Sequence, residues 1–129
     1  MAGADEFGLS GTDLVELFPF HIAFDRELRV LQLGAAIARI CPELVPGAVT
    51  NRHFQLIRPD VPWNIEALAL PGTLFLLRHT ALGLLLRGEM RRLPDGRGLL
   101  FLGSPWVTNL GELRDLGLSI RDFPIHDSI

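Results

Sequence analysis

The sequence predicts an α+β fold, in which a five-stranded antiparallel sheet carries short helices on one face and an N-terminal helix precedes the first strand. Three observations predict it. Apolar residues alternate with a period of two in five stretches, two before residue 35 and three after residue 72. Residues 35–72 instead carry apolar residues at helical spacing, interrupted by prolines. The dipeptide Asp95-Gly96 between the last two stretches is typical of a tight hairpin turn, so neighbouring strands are expected to pair antiparallel.

The first element is a short predicted helix that starts near Thr12. Leu14, Leu17 and Phe18 are spaced at i, i+3 and i+4 and therefore share one helical face. Residues 1–11 lack the basic-then-apolar layout of a secretory signal, and we interpret them as leader sequence outside the fold. Residues 12–129 are expected to form a single domain, since domains most often contain about 100–150 residues.

The first two strands are expected to form a hairpin. Alternation in FPFHIAFD (residues 18–25) places the phenylalanines on one face with Ile22, and His21 on the opposite face. We expect that opposite face to be exposed or to face a partner. LRVLQLG (residues 28–34) follows a short polar connection and is the second strand.

Three short helices are expected between the second and third strands. The first is AAIARIC, residues 35–41. The second begins at a cap formed by Thr50 or Asn51 and presents Phe54. The third begins at a cap formed by Asp60 and continues to about residue 68.

The last three predicted strands are TLFLLRH (73–79), ALGLLLRGEMRRL (81–93) and RGLLFLGSPWV (97–107). The fourth strand has one apolar and one charged face, whereas the fifth is apolar on both. In the fifth, Leu99 and Phe101 alternate with Leu100 and Leu102. Such a strand needs cover on both sides of the sheet, from a helix or a partner chain. Two strands, then helices, then three strands is the order found in PAS domains.

The composition argues against several classes of function. The net charge of −3 and pI of about 5.7 make general nucleic-acid binding unexpected. The apolar stretches are far shorter than the ~20 residues that span a bilayer, so no membrane association is expected. The single cysteine, Cys41, excludes an internal disulfide and fits a reducing, cytoplasmic location. We interpret it as a small buried apolar group.

No reactive constellation stands out, and the chain is predicted to be non-catalytic, with no metal and no cofactor. His21 is a candidate haem ligand, but alternation places it opposite the apolar residues that would line a haem pocket. The four histidines, at positions 21, 53, 79 and 126, lack the spacing of metal ligands. The pair His126-Asp127 lacks the helical context of a phosphate-accepting histidine.

Ordered motifs over residues 18–127 resemble the haem-NO-binding-associated domain, a PAS-like domain of soluble guanylate cyclases and bacterial signal-transduction histidine kinases. The motifs are FPFHIAFDRELRVLQLG (18–34), IRP (57–59), LFLLR (74–78), LRGEMRRLPDGRGLLFLGSPWVTNLGEL (86–113) and GLSIRDFPIHD (117–127). The link between the LFLLR and LRGEM motifs is short compared with the animal cyclases, which favours a bacterial protein.

The resemblance implies a non-catalytic module that dimerises and relays a signal. Its implied partners are a second copy or a paralogue, a haem-NO-binding sensor domain, and a downstream coiled coil with an output domain. That output is expected to be a histidine kinase, with a guanylate cyclase as the alternative. The predicted dimer interface consists of Leu14, Leu17, Phe18, Phe20, His21, Leu100 and Leu102.

The competing interpretation is a PAS sensor that binds a small apolar ligand between the sheet and the helices. Large side chains are expected to fill that space and to argue against a ligand. They are Phe54, Trp63, Leu74 and Met90.

Overall fold

The computed structural model describes residues 17–106 and confirms the α+β class. Helix α1 spans Ala35–Ile40 and helix α2 spans Ile65–Leu68. Short 3-10 turns lie at Thr50–Arg52 and Pro94–Gly96. The strands are β1 (His21–Phe24), β2 (Val30–Leu33), β3 (Phe54–Arg58), β4 (Leu74–His79), β5 (Leu85–Arg92) and β6 (Leu99–Pro105).

The strands form one sheet in the order β2-β1-β6-β5-β4-β3, and every neighbouring pair is antiparallel. The pairing of β1 with β6 brings the two ends of the described chain together in the middle of the sheet. Ile22 lies opposite Phe101, and Phe101 lies opposite Met90 on β5. Because register fixes which residues share a face, these three side chains point to the same side.

The sheet has six strands, so the prediction of five was wrong. The segment Phe54–Arg58, predicted as a helix, is the edge strand β3, and only Thr50–Arg52 is helical. Five residues are too few for periodicity to separate strand from helix. Pairing with β4 decides the outcome, since it places Phe54 opposite His79 and buries the phenylalanine. The helix predicted from Thr12 lies almost wholly outside the described residues.

Helix α2 begins later than predicted, because its cap is Asn64 rather than Asp60. The Asn64 side-chain oxygen accepts a hydrogen bond from the Ala67 backbone N–H at 2.8 Å. A cap at Asp60 would have only the Trp63 N–H to accept from, because Pro62, the other residue within reach of a capping oxygen, has no N–H.

The core lies between one face of the sheet, here called the inner face, and the helices. Phe20, Ile22 and Phe24 are buried there, as their alternation predicted, against Ala36 and Ile37 of α1. The start of α1 is held by the Pro19 carbonyl oxygen. That oxygen accepts hydrogen bonds from the backbone N–H groups of Ala36 and Ile37 at 3.0 and 3.1 Å.

Three of the four side chains expected to fill the interior do so. Phe54 and Met90 are buried, and Trp63 packs edge-to-face on Phe24 with ring centroids 6.0 Å apart. Leu74 is the exception, being 59% exposed. It alternates with buried Phe75 and therefore points to the other side of β4.

The turn between β5 and β6 has the geometry that its sequence predicts. Asp95 and Gly96 have φ values of 61° and 66°, and positive φ at both central positions is typical of tight hairpin turns. Among residues 17–106, no helix has the length and apolarity needed to cross a membrane.

Candidate partner surface on the outer face of the sheet

The face of the sheet opposite the helices is here called the outer face, and it is the candidate partner surface. Strand register places Leu102 opposite His21, and Leu100 opposite Ala23. Strand β5 continues the face with alternating charges. The outer face includes His21, Ala23, Gln32, Gln55, Leu74, Leu76, Arg78, Leu85, Arg87, Glu89, Arg91, Leu100, Leu102 and Ser104.

The outer face is apolar on β6 and charged on β5. Leu100 and Leu102 are half-buried. On β5, Arg91 Nη2 lies 3.5 Å from Glu89 Oε1, and both side chains are substantially exposed. Exposed ion pairs of this kind contribute only about 0–1 kcal/mol, so this pair does little to fix the monomer. A partner could therefore rearrange it at small cost.

His21 lies on the predicted face, but it is buried in the single chain rather than exposed. Its relative exposure is 0%, and both ring nitrogens are hydrogen-bonded. Nδ1 lies 2.9 Å from the Phe18 carbonyl oxygen, and Nε2 lies 3.1 Å from the Gln32 amide nitrogen. A carbonyl only accepts and an amide NH2 only donates, so Nδ1 carries the proton and Nε2 accepts. In this arrangement the Nε2 lone pair is committed to Gln32.

Removal of this imidazole should destabilise the chain. His21→Ala is expected to lower the free energy of unfolding by about 1–3 kcal/mol, because it removes a buried imidazole together with the hydrogen bonds of both its ring nitrogens. Urea unfolding measures the change. Gln55→Ala, on an exposed side chain of β3, is the control and should change the unfolding free energy by less than about 0.5 kcal/mol. Equal effects of the two substitutions would contradict this account of His21.

The other residues of the predicted interface are distributed over three environments. Leu14 lies outside the described residues, while Leu17 is exposed and Phe18 half-buried just before β1. Phe20 is fully buried in the core and offers no side-chain surface in the single chain. Of the predicted set, the structure places His21, Leu100 and Leu102 together on the outer face. The interface itself stays a prediction.

Two further apolar residues on this side were missed from the sequence. Leu74 is exposed on the outer face, and Trp106 is exposed just beyond β6. The Arg87 guanidinium carbon lies 5.8 Å from the centroid of the Trp106 ring, within reach of a cation–π contact. Leu74 could have been found, because TLFLL is apolar at consecutive positions, the same signal that identified both faces of β6.

A second group of polar residues lies where α1 ends. Ligand atoms of Cys41, Glu43 and His79 all lie within 4.8 Å of one another. Histidine spacing could not reveal this group, because Glu43 and His79 are 36 residues apart in the chain. Cys41 is buried, as predicted, and burial together with the nearby Glu43 carboxylate raises the pKa of its thiol to about 12.

Hydrogen bonds fix the orientation of His79 in this group. Its Nε2 lies 3.0 Å from Glu43 Oε1, and its Nδ1 accepts a hydrogen bond from the Leu82 backbone N–H at 3.2 Å. Nε2 therefore carries the proton and donates it to the carboxylate. A backbone hydrogen bond at Glu43 lowers the pKa of its carboxyl, and the bond from His79 lowers it further.

Taken together, these features define a small α+β domain of a class compatible with PAS-like folds, with one antiparallel sheet and short helices on its inner face. The chain belongs to the family described as "Heme NO binding associated", whose model matches residues 7–81 and 77–129. This confirms the family resemblance of the motifs.

Named relatives of the chain are guanylate cyclases. The soluble subunit alpha-2 of Homo sapiens is 34% identical over 86% of this chain and 17% of its own length. The soluble subunit beta-2 of Rattus norvegicus is 33% identical over 88% of this chain and 18% of its own. A head-specific guanylate cyclase of Drosophila melanogaster is 26% identical over 98% of this chain and 21% of its own length. The chain thus spans about a fifth of the length of these relatives.

Proposed function

We propose that this chain is a non-catalytic dimerisation and signal-relay domain of a multidomain signalling protein linked to haem and nitric oxide. The observation that carries the proposal is the outer face of the sheet. On this face β6 presents the apolar residues Leu100 and Leu102, and the helices among the described residues pack on the inner face. The family supports the link to haem and nitric oxide through the description of its model.

The proposed partner is a second copy of this chain or a paralogue, seated on the outer face. Leu100 and Leu102 are half-buried in the single chain, whereas Leu74 and Trp106 are exposed around them. Apolar and aromatic side chains at the centre of a surface with charged residues beside them are typical of protein interfaces. Relatives named as alpha and beta subunits support an assembly of paralogues.

Two output domains are proposed. A guanylate cyclase is supported by the names of the relatives. A histidine kinase is supported by the short link between β4 and β5, residues 80–84. The two output domains can be distinguished by sequencing the gene on both sides of the region that encodes this chain. Under this proposal the output domain is encoded there.

Dimerisation is testable with charge substitutions on the outer face. We expect the chain to sediment as a dimer, and Leu74→Arg and Leu102→Arg to weaken association at least about tenfold, or 1.4 kcal/mol. An arginine there would lose solvent on association and meet an apolar partner. Analytical ultracentrifugation over a concentration series gives the dissociation constants.

Val45→Arg is the matched control, because Val45 is an apolar residue as exposed as Leu74 (55% against 59%) but lies in the loop after α1. Leu74 is exposed, so Leu74→Arg should leave folding undisturbed. Leu102 is half-buried, so thermal melting is used to check that Leu102→Arg is folded. A chain that is monomeric at high micromolar concentration would contradict the proposal. So would equal weakening by Val45→Arg.

A further inference from the structure

The Cys41 cluster, defined as Cys41, Glu43 and His79, combines three ligand types at one point of the fold. Cys41 follows α1, Glu43 lies in the next loop, and His79 is the last residue of β4. A thiol sulfur, a carboxylate oxygen and an imidazole nitrogen converge there, all within 4.8 Å. Glu43 and His79 are 36 residues apart in the chain, so the fold itself brings the histidine to the other two.

The geometry is close to that of a tetrahedral metal centre. Zinc bonds of about 2.0 Å to nitrogen or oxygen and 2.3 Å to sulfur place tetrahedral ligand atoms roughly 3.3–3.6 Å apart. The His79 nitrogen and Glu43 oxygen are already 3.0 Å apart. The separations from the Cys41 sulfur are at most 4.8 Å, so each requires a contraction of no more than about 1.3 Å.

Burial also suits a metal site. Cys41 and His79 are buried, whereas Glu43 is 43% exposed and leaves a path from solvent. Buried ligands are held in place by packing, as His79 is by the Phe54 ring at a centroid distance of 5.2 Å. Thiolate and imidazole ligands favour zinc over magnesium or calcium, which prefer oxygen ligands.

We propose that Cys41, Glu43 and His79 bind one zinc ion, with the fourth coordination position open to water. The ion forms bonds to Cys41 Sγ, His79 Nε2 and a Glu43 carboxylate oxygen. Cys41 releases its thiol proton to solvent, and the imidazole proton moves from Nε2 to Nδ1. The hydrogen bond from the Leu82 N–H to Nδ1 must then break, which the turn of residues 80–84 can accommodate because it is largely exposed.

Zinc in this position would tie the crossover that follows α1 to the end of β4. The site lies at the C-terminal end of α1 and not on the outer face, so it does not depend on the proposed dimer. Because a metal that binds only the folded chain stabilises it, zinc should raise the melting temperature relative to a chelator.

Cobalt(II) is the probe for this site, since thiolate-bound tetrahedral cobalt gives a charge-transfer band and intense visible bands. We expect one cobalt ion per chain, displaced by one equivalent of zinc, and loss of the charge-transfer band in Cys41→Ser. Glu43→Gln should weaken binding beyond the roughly 10–100-fold that loss of an outer-shell partner costs. Calorimetry in buffers of different ionisation heat should detect release of one proton.

Glu89→Gln is the matched control, because Glu89 is 41% exposed, close to the 43% of Glu43, but lies on β5 away from the cluster. It should bind cobalt as the unchanged chain does. Absence of a charge-transfer band, or binding that Glu43→Gln leaves unchanged, would overturn the proposal. Glu43 is half-exposed, so its substitution tests the site even if Cys41→Ser fails to fold.

Discussion

Replacement of Phe101 with alanine should lower the free energy of unfolding by about 3–5 kcal/mol, the range for large aromatic residues in a core. Phe101 is fully buried on β6, opposite Ile22 on one side and Met90 on the other. Its ring also lies over Gly103, where an added Cβ would overlap the ring. Truncation therefore leaves a cavity at the centre of the sheet that the backbone of three strands cannot close.

Chemical unfolding in urea measures this change, and two further variants provide the comparison. Leu74→Ala removes an exposed leucine and should cost less than about 0.5 kcal/mol. Gly103→Ala should destabilise the chain much more when Phe101 is present than in Phe101→Ala, because the overlap is with that ring. Additive effects of the two substitutions, or a loss below about 1 kcal/mol for Phe101→Ala, would contradict this packing.

The same strand connects the core to the proposed partner surface. Phe101 points inward while Leu100 and Leu102 point outward, so a backbone shift at Phe101 would displace both leucines. Phe101→Ala is accordingly expected to weaken dimerisation as well as folding. Leu74→Arg and Leu102→Arg, in contrast, should weaken dimerisation without changing a side chain of the core.

The sequence predicted those elements whose periodicity was long or whose turn chemistry was specific. Strand β5 runs for eight residues, Leu85–Arg92, with alternating burial, and its two faces were assigned correctly. Asp95-Gly96 marked the following hairpin. Strand β3 was missed because its apolar residues fit two periods. Phe54 and Ile57 have helical spacing, whereas Phe54 and Leu56 have the spacing of a strand. Pairing with β4 decides between helix and strand.

Side-chain environment was harder to predict than strand direction. Alternation placed His21 on the correct face, but it could not tell that Gln32, on the neighbouring strand β2, would bond to its Nε2. Likewise, nothing local in the sequence brings Cys41 and His79 together, since they meet only through the packing of the α1 crossover against β4. The sequence pattern does not predict contacts between segments that are distant in the chain.

The largest pH effect is expected on the alkaline side and comes from one residue. The chain contains no lysine and no tyrosine, so Cys41 is the only side chain that changes charge between about pH 9 and 12, arginine remaining protonated. Burial raises the pKa of its thiol from 9.0 to about 12 in the folded chain. In the unfolded chain the thiol is solvated and ionises near its ordinary pKa.

Stability should therefore fall as pH rises from about 9 to 12, because unfolding then releases the Cys41 proton. It should be unaffected by this group below pH 9, where the thiol is protonated in both states. The shift from 9.0 to about 12 corresponds to a total loss of about 4 kcal/mol. Urea unfolding at increasing pH, with a chelator present to keep metal from Cys41, measures it. Cys41→Val, similar in size but unable to ionise, should show no such decline. An equally steep decline in that variant would assign the alkaline instability to the backbone or the termini rather than to the buried thiol.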